Sequence, residues 1–114
     1  MALYGDNACK VYCNIDMSGS LNDHFGCSSV TDNAQGDFSV SFSSNFSNAN
    51  YAAVAQSENW ETTNGDSYTA ISGRNGSGDR AVGSFRFVCI RLRYDLDPEQ
   101  LQDSDNACLA FFGD

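Results

Sequence analysis

The fold is decided by residues 24–42, HFGCSSVTDNAQGDFSVSF. Phe38, Val40 and Phe42 alternate with Ser39, Ser41 and Ser43. That period of two is the pattern of a strand with one buried face. Upstream, Phe25, Cys27 and, after a slip of one residue, Val30 mark the apolar side of a partner strand. Between them, residues 32–37 (DNAQGD) supply the Asx and Gly residues that accept positive φ and bond their own backbone, so the chain is expected to reverse there. Nothing in this hairpin is reactive. It specifies architecture, and function has to be sought in what the other strands present.

Outward from the hairpin, the same reading extends over the chain. Residues 1–8 form a short lead-in and 9–114 one module. The first strand, within 8–16, puts Cys9, Val11, Cys13 and Ile15 on one face and Lys10, Tyr12, Asn14 and Asp16 on the other. Residues 17–23 read as a turn, 44–50 as a polar loop carrying Phe46, and 51–57 as a strand of small side chains. Residues 58–66 make an exposed loop around Trp60, and 67–72 a short strand. The glycine-rich 73–80 lacks the Lys-Ser/Thr ending of a phosphate loop and reads as a hairpin tip.

Residues 81–94 form the longest extended run. Phe85, Phe87 and Cys89 share a face with Arg91 and Arg93, while Val88, Ile90, Leu92 and Tyr94 share the other with Arg86. The apolar side changes along the run, so either a bulge shifts the phase or both faces meet protein. The acidic 95–106 segment contains Asp97-Pro98-Glu99, a start for one helical turn. The last strand, 107–112, is apolar on both faces and belongs either at the centre of a sheet or under another subunit.

The 114 residues carry 15 acids and 6 bases, a net charge of −9. Phosphate contacts need clustered Lys and Arg, so this balance argues against a nucleic-acid surface, and equally against an anionic membrane. No apolar run approaches the roughly 20 residues of a spanning helix. The first ten residues lack the basic-then-apolar pattern of a secretory signal, so a cytoplasmic site of synthesis is expected. Four of the six bases fall between 80 and 93. That stripe fits a strand face paired with local carboxylates, or a contact with an acidic patch of a neighbouring subunit.

The five cysteines, Cys9, Cys13, Cys27, Cys89 and Cys108, cannot all pair within one chain. Buried free thiols acting as small hydrophobes fit their strand-like surroundings. A disulfide between neighbouring strands and a metal site are the alternatives. The CxxxC pair Cys9 and Cys13 stands about 13 Å apart on a regular strand, too far to bridge.

Catalytic patterns are thin. His24 is the only histidine, with Asp23, Ser28 and Ser29 near it in sequence and no Gly-x-Ser-x-Gly elbow. Glu58 and Glu61 flank Trp60 as a carboxylate pair, the requirement for glycoside hydrolysis, but in a loop with no rigid cleft implied. Asp95, Asp97, Glu99, Asp103 and Asp105 raise calcium, yet the central Gly and terminal Glu of a calcium loop are missing. Trp60 and Tyr68, with Arg74 and Asn75 of the 73–80 loop, suit a sugar-stacking tip better than an active site.

Three pieces carry a family likeness: CKVYCNID, then SSVTDNAQGDFSVSFSSNFSNANYAAVAQ, and the ending DSDNACLAFFGD. Over residues 9 to 114 the chain resembles a module found at the ends of bacteriophage tail fibres and in small phage virion proteins. That pattern runs as a strand ending Asn-aromatic-Asp, then Ser-Ser-Val-Thr-Asp-Asn-Gly-x-Gly-Asp-Tyr-x-Val-x-Phe, then Asn-Tyr-Ala, and a closing Val-x-Val-Phe-Gly. Ile15 stands where an aromatic is usual, Ala34-Gln35 replace part of the turn, and the loop at 95–103 carries the extra DLDPEQLQ.

The resemblance implies a β-rich, non-enzymatic virion component assembled as a homotrimer. Because the strands begin within a few residues of Met1, with no shaft before them, a capsid decoration or cement protein is the leading expectation. A tail-fibre or tail-tip subunit contacting a host glycan is the alternative. The expected fold is an all-β antiparallel sandwich, jelly-roll-like, without cofactor or metal. Expected partners are the major capsid protein or tail proteins. Arg86, Arg91, Arg93, Leu109 and Phe111 are the candidate subunit interface; Trp60, Tyr68, Arg74 and Asn75 are the candidate ligand-facing residues.

Overall fold

The computed structural model describes residues 9–16, 18–58, 67–72, 80–92, 100–101 and 103–114, with 67–72, 92 and 100 described by backbone alone. The Phe38/Val40/Phe42 alternation forms strand β4 (Asp37–Phe42), and all three apolar side chains are buried. Its partner β3 (Cys27–Ala34) contains the slip read from the sequence. Cys27 lies opposite Phe42 and Ser29 opposite Ser41, so Ser28 is the extra residue of a bulge that returns Val30 to the core side. A second bulge at Asn33 shortens the reversal, which turns on Gln35-Gly36 with Gly36 at φ 67°. Asp32 and Asn33, expected in the turn, are strand residues.

Two antiparallel sheets pack face to face as a β-sandwich. Sheet A runs in the order β2 (Leu21–Phe25), β1 (Cys9–Asp16), β10 (Asn106–Phe112), β5 (Ala52–Glu58). Sheet B runs β3, β4, β8 (Ser84–Leu92), β6 (Ser67–Ser72), with β7 (Arg80–Ala81) and β9 (Gln100–Leu101) pairing the ends of β8. Every pairing is antiparallel. The core between the sheets takes Val11, Cys13 and Ile15 from β1 and Ala107, Leu109 and Phe111 from β10. Opposite them stand Phe38, Val40, Phe42, Phe85, Phe87 and Cys89.

One end of the sandwich is plugged by aromatic rings. Phe42 meets Phe46, Tyr51 and Phe111 edge-on at 5.1, 5.6 and 5.0 Å between centroids. Such pairs contribute about 0.5–1.5 kcal/mol each beyond the area they bury. Phe46 and Tyr51 come from the segment between β4 and β5, so this polar-looking loop is anchored by its two aromatics. The Tyr51 hydroxyl reaches the carbonyls of Ala81 and Ser84 at 3.0 Å each, and Arg80 donates to the Tyr51 carbonyl and lies over its ring.

Four expectations need correction. Residues 17–23 are not all turn: the Asp16 carboxylate accepts from Ser18 N, Ser18 Oγ and Ser20 N, closing the reversal by residue 20, and Leu21–Asp23 join β2. Phe25 does not share a side with Cys27. Gly26, at φ +70°, passes the chain from sheet A to sheet B in one residue, which leaves Phe25 58% exposed. Residues 81–94 are not one run, because Val82-Gly83 form a tight turn between β7 and β8. Nor does a bulge shift the phase of β8: its register with β4 and β6 is unbroken, and Val88 on the outer face is 2% exposed, so both faces are covered there. The helical turn expected at 97–99 lies outside the described residues.

Candidate functional site

The outer face of sheet A is where the sequence and the topology together produce something neither shows alone. In the observed register Phe25 pairs with Tyr12, Tyr12 with Ala110, and Ala110 with Val54. One row of four apolar side chains therefore crosses the whole sheet on the side away from the core. Tyr12 is 41%, Phe25 58% and Val54 60% exposed. The Tyr12 and Phe25 rings stack, with centroids 6.1 Å apart and planes 19° from parallel. The next row, Asp23–Asn14–Cys108–Gln56, is polar but for its thiol. Between the two rows lies a shallow depression of about 410 Å³ walled by Tyr12, Asn14, Val54, Gln56, Cys108 and Ala110.

Local chemistry explains why these side chains point outward. Val11, Cys13 and Ile15 fill the core from one side of β1, so alternation forces Tyr12 and Asn14 out. On β10 the inward set Ala107, Leu109 and Phe111 forces Cys108 and Ala110 out. Leu109 and Phe111, read from the sequence as interface residues, are 3% and 0% exposed. A side chain enclosed to that degree by its own chain has no surface left for a neighbour, so their place is the monomer core. The inward half of β10's apolar set is thus core, while its outward Cys108 and Ala110 belong to the open outer face of sheet A.

The arginine stripe divides. Arg86 lies on the outer face of sheet B, where its Nε and Nη2 donate to Asp37 Oδ1 and Oδ2 at 2.8 and 2.5 Å. Asp37 is 1% exposed and also accepts from Asn33 Nδ2 at 3.3 Å. The local-carboxylate reading thus describes Arg86. Arg91 alternates onto the opposite face, in register with Tyr68 on β6 and Gln100 on β9. Arg93, Trp60, Arg74 and Asn75 lie outside the described residues, and Tyr68 is placed by its backbone alone.

The groupings that the sequence raised and set aside as catalytic or metal sites do not come together among the described residues. Asp23 and His24 are successive strand residues and point to opposite faces of β2, while Ser28 and Ser29 are on β3 in the other sheet. Glu58 ends β5, and its partner Glu61 lies outside the described residues. Asp103 accepts a 2.6 Å bond from Gly36 N, tying the hairpin tip to the acidic segment, and Asp95, Asp97 and Glu99 are not described. No group of three or more His, Cys, Asp or Glu is placed to hold a metal among the described residues.

All five thiols are free. Burial raises the pKa of Cys89 and of Cys108. The neighbouring Cys27 thiol and burial together push the Cys13 thiol well above its ordinary range, while Cys27 is held below the ordinary thiol value by its neighbour Cys13.

No protein-family model, no curated protein and no solved structure matches this chain.

Proposed function

We propose that this chain is a non-enzymatic structural protein of a bacteriophage particle. In this reading it assembles as a homotrimer on the capsid surface and works by packing the outer face of sheet A against a neighbouring chain. The virion assignment and the trimer rest on the family likeness of residues 9 to 114. The packing surface rests on one observation, the Phe25–Tyr12–Ala110–Val54 row.

Four strands about 4.8 Å apart and seven residues at about 3.4 Å each give a face roughly 19 by 24 Å, about 460 Å² in projection. That is a little over half of the roughly 800 Å² per partner of a standard interface, so the row supplies the centre of a contact that extends beyond this sheet. The apolar row would form its dry centre and the Asp23–Asn14–Gln56 row its wet rim. The Phe25–Tyr12–Ala110–Val54 row carries no charge, so a contact centred on it is apolar and should vary little with salt.

Light scattering on the purified protein over rising concentration tests the assembly. The wild type should give a trimer and Val54→Asp a monomer with an unchanged circular dichroism spectrum. A wild type that stays monomeric at high concentration rejects the reading. Quantitative mass spectrometry of purified particles tests the location: hundreds of copies mean decoration of the shell, a handful mean a tail part, and none rejects the virion role. The glycan-binding alternative depends on Trp60, Tyr68, Arg74 and Asn75, to which the described side chains add nothing.

A further inference from the structure

The two most exposed large apolar side chains of the described residues, Phe25 at 58% and Val54 at 60%, stand at opposite ends of one row. Phe25 is on β2 and Val54 on β5, the two edge strands of sheet A. Among the described residues neither strand is paired on its outer side. Native sheets blunt such edges with bulges, prolines or lysines. The β3 edge of sheet B follows that rule with two bulges, and β2 has one at Asn22. Strand β5 does not. Ala52–Glu58 runs through seven pairs with β10 without a break, carries no proline or lysine, and holds one charge, Glu58, at its last position.

Direction and register fit these two edges to each other. Sheet A has four strands, each antiparallel to the next, so β2 and β5 run in opposite senses. Rotating a second copy about an axis parallel to the strands brings its β2 beside β5 as an antiparallel pair. With Val54 opposite Phe25 of that copy, Gln56 falls opposite its Asp23, where the amide donates to the carboxylate. Both rows of the outer face then continue across the join. Sliding the pair by two residues sets Glu58 against Asp23 in one direction and Val54 against Asp23 in the other. A slip of one residue turns Val54 and Phe25 to opposite faces.

We propose that three copies of this chain join edge to edge, β5 of each pairing with β2 of the next, so that the outer faces of their A sheets enclose one dry core around a three-fold axis. The proposal rests on the homotrimer reading and gives it a geometry. Width sets the number of copies. Three faces about 19 Å wide, set as a triangle, each stand about 5.5 Å from the axis. That is close to half of the roughly 10 Å between packed sheets, a gap that one layer of side chains from each face fills. Four faces would stand about 9.5 Å from the axis and leave a hole. Two laid face to face would cover the row and leave β5 and β2 without strand partners. Phe112 and Ala52, the next pair toward the aromatic plug, extend the apolar lining, while Asp16, Asn106 and Glu58 stand at the opposite, open end. The join at each edge supplies contact that the face alone lacks.

Cross-linking of the native protein tests the join. Cys108→Ser removes the thiol paired with Gln56, and Asp23→Cys and Gln56→Cys are then combined in that chain. Cβ atoms directly opposed on paired strands are about 4.5–5.5 Å apart, close enough for a disulfide after a small adjustment. Mild oxidation should give a covalent trimer as the end product, with peptide mapping joining position 23 to position 56 and dithiothreitol returning single chains on a denaturing gel. Either cysteine substitution alone should give no such link. His24→Cys with Ala55→Cys, the adjacent pair in the same register, serves if circular dichroism shows the first pair to disturb folding. A wild type that is trimeric by light scattering, with no link in either variant, overturns the edge join and leaves the trimer standing. A monomeric wild type overturns both. A covalent dimer as the end product overturns the three-fold closure, and a link in a single-substitution variant also counts against the proposal.

Discussion

Replacing Arg86 with leucine asks whether its guanidinium serves the fold or a neighbour. Asp37 is 1% exposed while the Arg86 side chain is 39% exposed, so the pair is buried at one end only. Removing one partner of a fully buried pair costs about 3–5 kcal/mol, because the remaining charge stays in a poorly solvated site. A fully exposed pair is worth about 0–1 kcal/mol. The two-pronged geometry, 2.8 and 2.5 Å, favours the upper range, and solvent access through the arginine site lowers it. Arg86→Leu should therefore cost about 2 kcal/mol, or a fall of about 8 °C in the thermal midpoint. Asp37→Asn should cost less, since the arginine it leaves behind can turn to water. The double variant should fall short of the sum by about 1 kcal/mol. Urea unfolding followed by circular dichroism measures all four corners of the cycle, and light scattering on the same samples reads association. A loss of less than about 0.5 kcal/mol in Arg86→Leu, or a defect confined to association, would refute the internal role and return Arg86 to the interface.

Gly26→Ala places a side chain at φ +70° and 2.5 Å from the Lys10 carbonyl, so it should cost about 3 kcal/mol or more, read as a lowered urea midpoint. Phe111→Asp buries a carboxylate at a fully enclosed site and should abolish folding; a soluble, folded variant that merely fails to associate would place β10 wrongly. The Asp16 carboxyl is held below its ordinary pKa, first by the Ser18 hydroxyl and then by the Ser20 and Ser18 amides. A depressed folded pKa gives a contribution that is complete above the unfolded carboxylate pKa and is lost as pH falls through the folded one. The 16–20 turn should loosen only at strongly acid pH, and Ser18→Ala should raise the Asp16 pKa in a carbon-detected NMR titration.

How much of this was legible in the sequence varies by residue. Phe38, Val40 and Phe42 declared their strand because one face is buried and the other is not, and the slip before Val30 declared the Ser28 bulge. Phe25 misled because a change of sheet leaves no trace in hydropathy. Gly26 carries the crossing, and glycine reads equally as a turn, a bulge or a hinge. Leu109 and Phe111 looked like interface residues because a strand apolar on both faces has two explanations, and composition does not choose between them. The outer row was out of reach for a different reason. Phe25, Tyr12, Ala110 and Val54 come from four strands, and their alignment is a property of register. The individual residues were visible; their adjacency was not.

The pairing of β1 with β10 joins Cys9 to Phe112 across nearly the whole chain. On a ribosome, strand β1 emerges first and has no β10 to lie against until the rest has been made. Its neighbour β2 can form a hairpin with it, but β5 stays unpaired within sheet A until β10 slots between it and β1. Final closure thus waits for the last strand and is slow for the chain's size, as non-local β topologies are. During that interval Val11 and Ile15, on the inward face of β1, are open to other copies, so aggregation threatens before β10 is in place.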